Sequence, residues 1–347
     1  MRITRIGYAL GIAAAVAIAG CSSNGSSLGP IAQAPGSTQS VVRNHPITLL
    51  PGAVLRQINP GTPYMGKSWA SPDASGTLVY VCMFTGGACN WYKSGGHTLK
   101  GQIAASYPNG LCDDANGNVY IPDGGTAHVF EYAKGSATQI ADLDNTSQGQ
   151  PSACAVDKNG TLYVGNIAAD TVSVYNVGAT TPSRIITVNA VTGGAGYVIG
   201  VSVDEHHLLS VSWINFNTGT SGVDEFPRAH GTGHTKISLG TDFPGTQQFD
   251  NAENIEVNDQ STGTTNVYNG TTFALCNSFA NGSGDAVTGA LNKPNTKIVE
   301  GDAVNGAAYE ESFGDCSGGG ALLNTITAGL SASGTVIGTL YDPGSQI

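Results

Sequence analysis

A turn-and-strand element that repeats along the chain constrains the fold more than any other feature of the sequence. It reads Asp-x-x-Gly followed within one or two residues by an apolar–Tyr–apolar stretch, and three copies are clear. Their glycines, Gly76, Gly117 and Gly160, lie 41 and 43 residues apart. The aspartate can accept hydrogen bonds from the backbone two residues on, and glycine adopts the left-handed conformation that closes such a turn. Each copy therefore predicts a tight turn followed by a strand.

Further strands follow each turn at the same spacing. In each of the three copies a second strand follows and ends in a tyrosine, at Tyr92, Tyr132 and Tyr175. A third strand completes each unit. Weaker copies of the repeat continue after residue 200. A period of about 40 to 47 residues with four short strands per unit is typical of a β-propeller, and residues 68–345 hold roughly six such units. We therefore predict an all-β fold, a β-propeller of six blades with four antiparallel strands each. A seven-bladed ring and an irregular β-sandwich are the alternatives.

The repeat resembles that of NHL-like six-bladed propellers, a group that includes SMP-30-like lactonases and virginiamycin lyases. The resemblance covers most of residues 60–345 and rests on turns and strands that carry no catalytic content. It implies that a strand near 47–50 could pair with strands near 336–340 to close the ring and protect its edges. It also implies that any catalysis would use the channel mouth, where the lactonases bind a divalent cation and the lyases place a histidine.

Composition excludes several classes of function. Charged residues make up 11% of the chain, whereas glycine contributes 49 of 347 residues, a balance that favours strands and turns over helices. The formal net charge is −11. Nucleic acid requires a basic face, and anionic lipid attracts basic segments, so neither is an expected electrostatic partner.

The N-terminus reads as an export signal with an anchor. Arg2 and Arg5 precede an apolar run over residues 6–18, and Ala19-Gly20-Cys21 follows. The site resembles the lipobox of bacterial lipoproteins, in which the cysteine is acylated. We predict a signal peptide over 1–20, a lipidated Cys21 (palmitate or a related acyl chain) with a flexible tether over 21–45, and a propeller over 46–347. An ordinary cleaved signal peptide is the alternative. Ser22 favours the outer membrane as the location of this extracytoplasmic protein.

Six cysteines remain after Cys21, an even number that suits an oxidising compartment. Of the 15 possible pairings, the repeat register selects one. One pair flanks a hairpin loop, one joins the innermost strands of successive blades, and one lies about a blade apart. The predicted disulfides are Cys82–Cys89, Cys112–Cys154 and Cys276–Cys316, with unpaired buried cysteines as the alternative.

Polar residues where the innermost strands begin are the candidate site, because these positions converge on the mouth of a propeller channel. By the repeat register they are Asn109, Ser152, Glu253, Asn254 and Asp302. A water-filled channel without catalysis is the alternative interpretation of this group. Exposed Tyr64, Trp69 and Trp91, if clustered on one rim, would favour contact with a sugar or a protein.

Two functional hypotheses follow. The first is a membrane-anchored, monomeric binding scaffold for a protein or carbohydrate partner, without a catalytic residue or cofactor. The second is a metal-dependent propeller hydrolase or lyase, in which Glu253 and Asn109 would help to hold a divalent cation. A purely structural role in the cell envelope is a third possibility.

Overall fold

The computed structural model describes residues 68–71, 76–84, 87–167, 169–188, 196–215, 217–240, 242–280, 286–302, 305–330 and 336–342. The signal peptide, Cys21, the tether, the strand expected near 47–50, Tyr64 and the side chain of Trp69 lie outside this description. In the described part of the chain, no helix has the length and apolar character needed to cross a bilayer.

Six blades of antiparallel strands form a β-propeller, which confirms the predicted fold class. Blade 1 contains β1 (Trp69–Ala70), β2 (Leu78–Met83), β3 (Ala88–Lys93) and β4 (Gly101–Ala104), together with the last strand, β25. Blade 2 contains β5 (Cys112–Asp113), β6 (Val119–Asp123), β7 (His128–Tyr132) and β8 (Gln139–Asp144), and blade 3 contains β9 (Pro151–Val156), β10 (Leu162–Asn166), β11 (Thr171–Tyr175) and β12 (Arg184–Thr187).

The second half of the ring follows the same plan. Blade 4 contains β13 (Gly196–Val203), β14 (Leu209–Asn215), β15 (Thr220–Phe226) and β16 (His234–Gly240). Blade 5 contains β17 (Pro244–Phe249), β18 (Ile255–Asp259), β19 (Thr264–Tyr268) and β20 (Leu275–Ala280), and blade 6 contains β21 (Ala286–Leu291), β22 (Lys297–Asp302), β23 (Ala307–Phe313) and β24 (Gly319–Ile326). Two short 3₁₀ turns, Pro227–Ala229 and Asp315–Ser317, join the third and fourth strands of blades 4 and 6.

The last strand closes the ring. β25 (Val336–Asp342) pairs antiparallel with β2, so that the C-terminal segment supplies the innermost strand of the first blade. The described partner of residues 336–340 is thus β2, and the strand expected near 47–50 lies outside the described residues. The innermost strands β5, β9, β13, β17, β21 and β25 contact one another in succession around the centre.

The repeated turn recurs throughout the ring, including copies that lack the glycine. In blades 2 to 5, one side-chain oxygen of the first residue accepts hydrogen bonds from the backbone N–H groups two and four residues further along the chain. In blade 6 the two N–H groups lie four and five residues further along. The fourth residue has a positive φ in every copy. The anchors are Asp114, Asp157, Asp204, Asp250 and Asn292, and the fourth residues are Gly117, Gly160, His207, Glu253 and Asn295.

These turns define the two faces of the ring. On the turn face, each innermost strand leads through the repeated turn into the second strand of its blade. On the mouth face, the innermost strands begin and the second and third strands are joined. The described chain enters at Ser68 on the mouth face, where the Ser68 hydroxyl accepts a hydrogen bond from the Ala104 N–H at the end of β4.

All three predicted disulfides are present, which confirms the pairing derived from the repeat register. Cys82–Cys89 joins β2 to β3 within one hairpin, and Cys112–Cys154 joins the innermost strands of blades 2 and 3. Both are buried. The third, Cys276–Cys316, links the outermost strand of blade 5 to the 3₁₀ turn of blade 6 and is exposed. The bridges therefore fasten blade 2 to blade 3 and blade 5 to blade 6.

The core lies between the blades, and its largest side chain is Trp91. The Trp91 ring is fully buried and lies 5.9 Å from the Tyr80 ring, centroid to centroid. A Cβ at Gly101 would lie 1.9 Å from the indole, so only glycine fits beside it on β4. The expectation that Trp91 forms part of an exposed aromatic rim is therefore wrong, because the tryptophan occupies a core position on the third strand.

Candidate functional site

The central channel is narrow. It contains about 50 Å³ of free volume. At roughly 10–15 Å³ per water, this volume holds a few water molecules, whereas ligand pockets usually exceed about 300 Å³. Hydrogen bonds tie neighbouring innermost strands together along it, including one of 3.1 Å between the hydroxyls of Thr288 and Thr339. The channel therefore offers space for water and not for a small organic substrate.

Two of the five predicted mouth residues lie where an innermost strand begins. The Asn109 side chain donates to the Pro151 carbonyl oxygen at 2.7 Å, which ties blade 2 to blade 3. Ser152 lies near the start of β9 and is buried. Its hydroxyl faces Gly165 of its own blade, where an added Cβ would lie 2.9 Å away. Both residues are used in packing and do not converge on the channel.

The predicted positions of Asp302, Glu253 and Asn254 are wrong. Asp302 lies on the mouth face but ends the second strand of blade 6, where it accepts a hydrogen bond from the Asn305 N–H at 2.9 Å. Glu253 and Asn254 belong to the repeated turn of blade 5, on the opposite face. The error has a plain cause, since the run 255–259 is the second strand of its blade and not the innermost one.

These positions rule out one cation site. Asn109 and Glu253 lie on opposite faces, so they cannot hold one cation together as the second functional hypothesis required. Glu253 instead lies beside two residues of the neighbouring turn of blade 4. His206 Nε2 is 3.0 Å from a Glu253 carboxylate oxygen and 3.6 Å from one of Glu205.

The Glu205–His206–Glu253 cluster has the ligand types of a divalent metal site, with three ligand atoms within 4.8 Å of one another. All three side chains are exposed. The same contacts form ion pairs across the turn face when His206 is protonated. Chemically, the cluster can bind a metal ion weakly or join two blades electrostatically, and exposed ion pairs of this kind contribute little stability.

A cleft with a volume of about 440 Å³ lies on the turn face between blades 2 and 3. The repeated turns of the two blades and residues 176–180, between the third and fourth strands of blade 3, form its rim. Tyr120, Leu143 and Tyr175 line its interior. The volume falls within the range of small-molecule sites.

The cleft places one acidic side chain among these groups. Glu131 on β7 lies opposite Tyr120 on β6 and is half-buried. Burial, together with the charge of Asp114, raises the pKa of Glu131, although hydrogen bonds from Tyr120 and Asn118 act in the opposite direction. A carboxyl group held in this way takes up a proton more readily than one in water, and the protonated form can both donate and accept hydrogen bonds.

Sequence reasoning missed this cleft, although the repeat contained a signal for it. The residue across from the second-strand tyrosine is Trp91 in blade 1 and Val174 in blade 3, both buried. In blade 2 it is Glu131. The carboxylate at a position where the other two copies have a buried apolar side chain is the sequence signal that blade 2 is partly open to water at this point.

Comparison with known proteins supports the fold and no finer classification. No family model matches the chain, and no curated protein matches it. Among solved structures, a nidogen/laminin complex is similar with a TM-score of 0.62 and 14% identity, covering 78% of this chain and 100% of that one. Kuenenia stuttgartiensis hydrazine synthase is similar with a TM-score of 0.54 and 11% identity, covering 71% and 76%. At these identities the likeness establishes the β-propeller fold alone.

Proposed function

We propose that the protein is a lipid-anchored, extracytoplasmic binding scaffold that presents the turn face of its propeller to a partner. The observation that carries this proposal is the contrast between a channel of about 50 Å³ and a surface cleft of about 440 Å³. Space for a partner therefore lies on the face and not along the axis. The chain enters on the mouth face at Ser68, which leaves the turn face on the side away from the entry point.

Location follows from the N-terminus and the disulfides. Three disulfides fit an oxidising compartment outside the cytoplasm. The arginines, the apolar run and Cys21 support export followed by acylation, and the serine after Cys21 supports the outer membrane. We place the protein there as a monomer without a cofactor, with a protein or carbohydrate partner and no nucleic acid partner.

One similar structure agrees with a binding role. The nidogen/laminin structure is a complex of two proteins, so a propeller with this fold occurs in a protein–protein assembly. The repeat also resembles NHL-like propellers, the subgroup to which we assign the chain. Neither argument identifies the partner of the present protein.

The anchor is tested by Cys21→Ala with Ser22→Ala as the matched control. Metabolic labelling with palmitate should mark the native chain and the Ser22 variant, and both should sediment with membranes. The Cys21 variant should lose the label and leave the membrane fraction. Retention of the label in that variant would show that the acyl group is attached elsewhere.

The binding face is tested by photo-crosslinking on intact cells. An unnatural photoreactive residue replaces Lys158 on the rim of the cleft, and a second variant carries it at Asn217 on the mouth face; both positions are exposed. Discrete crosslinked species should form from position 158 and not from position 217. Equal yields from both positions, or none from either, would contradict a binding role for the turn face.

A further inference from the structure

The geometry points to a neutral, polyhydroxylated ligand, a sugar unit of a glycan, as the occupant of the cleft between blades 2 and 3. The inference rests on the proposed binding function and deepens it by naming the chemistry of the partner. It comes from three features of the cleft: its volume, its combination of apolar and polar groups, and the side chains whose hydrogen-bonding capacity remains available.

The walls suit the two kinds of surface that a sugar presents. Sugar rings expose C–H groups on their faces and hydroxyl groups at their edges. The half-buried Tyr120 ring lines the interior, and Val177, which is 72% exposed, lies on the rim beside Gly160. Amphipathic aromatic side chains favour contacts of this type, since they combine a large apolar surface with a polar end. A sugar ring held against these apolar surfaces would bury its C–H face.

The formal negative charge of the lining overstates the charge that a ligand would meet. Asp114 and Asp157 both line the cleft, but each holds its own turn through hydrogen bonds from two backbone N–H groups. The second oxygen of Asp157 also lies 3.0 Å from His207 Nδ1. Lys158 adds a positive charge on the rim. The two aspartates are therefore structural, and they leave Glu131 as the acidic group directed to a ligand.

The remaining polar groups both donate and accept hydrogen bonds. Asn116 and Asn159 are exposed on the rim formed by the two turns. The Asn159 amide nitrogen lies 3.3 Å from His207 Nε2, and its amide oxygen accepts no hydrogen bond from the described residues. The amides donate and accept hydrogen bonds and the Glu131 carboxyl accepts them, so together they complement hydroxyl groups, which do both. A phosphorylated ligand would meet three carboxyl groups, those of Asp114, Glu131 and Asp157, against Lys158 as the one cation of the cleft lining.

Binding is tested by calorimetry on the full chain in a detergent without a sugar headgroup, with chitotetraose, cellohexaose and maltohexaose as probes. We expect at least one of them to bind. Replacing Glu131 by Ala should weaken that binding by about tenfold and Asn159→Ala by about threefold, the effect of one lost hydrogen bond each. Asn217→Ala on the mouth face is the matched control and should leave binding unchanged.

Glu131→Gln separates recognition by hydrogen bonds from recognition by charge. The amide keeps a donor and an acceptor but loses the charge, so binding of a neutral sugar should stay within about threefold of the native value. A loss as large as that of Glu131→Ala would show that binding depends on the negative charge of Glu131 and would overturn the hydrogen-bonding role assigned to it. If Glu131→Ala does not fold, Asn159→Ala, at an exposed position, still decides the question.

Two further results would also overturn the inference: no binding of any of the three saccharides, or binding that both cleft variants leave unchanged. Neither result alone would contradict the proposed scaffold function, because crosslinking from position 158 would still report a partner at the turn face. Loss of that crosslinking would contradict the scaffold role independently of the sugar.

Discussion

Removing the Cys112–Cys154 disulfide should destabilise the propeller by an amount that the length of the closed loop determines. The bridge joins residues 42 apart. In the chain-entropy model a closed loop of this length is worth about 4 kcal/mol at 25 °C, because the bridge restricts the unfolded chain. For Cys82–Cys89, with a separation of 7, the same expression predicts roughly 2.4 kcal/mol. The three loops do not overlap, so their effects should add.

The assay is equilibrium unfolding in urea, followed by the fluorescence of the buried Trp91 and Trp213. The variant is Cys112→Ala with Cys154→Ala. The matched control removes the exposed bridge by Cys276→Ala with Cys316→Ala, which opens a loop of almost the same length, 40 residues, and has little buried packing to lose. The control should therefore also lose about 4 kcal/mol, and any additional loss in the first variant measures the packing between blades 2 and 3.

Two outcomes would refute this reasoning. If the variants without Cys112–Cys154 and without Cys276–Cys316 each lost less than about 1 kcal/mol of unfolding free energy, the bridges would not restrict the unfolded chain as the model requires. A larger loss on removal of Cys82–Cys89 than of Cys276–Cys316 would show that local packing, and not loop length, sets the contribution of each bridge.

Three further measurements test other parts of the structure. Burial raises the pKa of Glu256 to about 8, so the contribution of this group to stability is complete below its ordinary pKa and is lost as the pH rises toward 8. Glu256→Gln should therefore reduce the fall in unfolding free energy with pH by up to about 1.4 kcal/mol per pH unit. An unchanged pH dependence would show that the carboxyl is ionised in the folded protein. Gly76→Ala should cost about 1–2 kcal/mol in the urea assay, because φ is +88° and nothing lies within 4 Å of the new Cβ, so that the cost is conformational and not steric; an unchanged stability would contradict the left-handed turn. Truncation after residue 335 removes β25 and should abolish cooperative unfolding, whereas truncation after residue 342 should preserve it; a cooperative fold without β25 would contradict the observed ring closure.

Local chemistry made the fold predictable. The Asp-x-x-Gly turn and the strand after it are specified within about eight residues, and their spacing counts the blades. The cysteine pairing followed from the same register. The register failed after residue 200, where His207 and Glu253 occupy the position that glycine holds in earlier copies. The hydrogen bonds of Asp204 and Asp250 hold these turns in shape without glycine, and no glycine pattern can reveal that.

The sites were less predictable than the fold. Asn109 and Ser152 were placed at the start of innermost strands, but their contacts show packing roles. Glu253 was placed on the wrong face because one strand of blade 5 was assigned to the wrong position in its blade. Glu131, the central group of the cleft, was overlooked, although its departure from the apolar residues of neighbouring blades could be seen in the repeat.

By itself the sequence determined the propeller, the approximate number of its blades, the cysteine pairing and the predicted export signal, because each depends on neighbouring residues or on a regular spacing. Only the tertiary structure decided that β25 completes the first blade, that Trp91 is buried, and that Tyr120, Glu131, Asn159 and Val177 meet in one cleft. These contacts join residues from different strands and blades, and their distances depend on how blades twist and pack against each other. Turn chemistry within one repeat does not specify that packing.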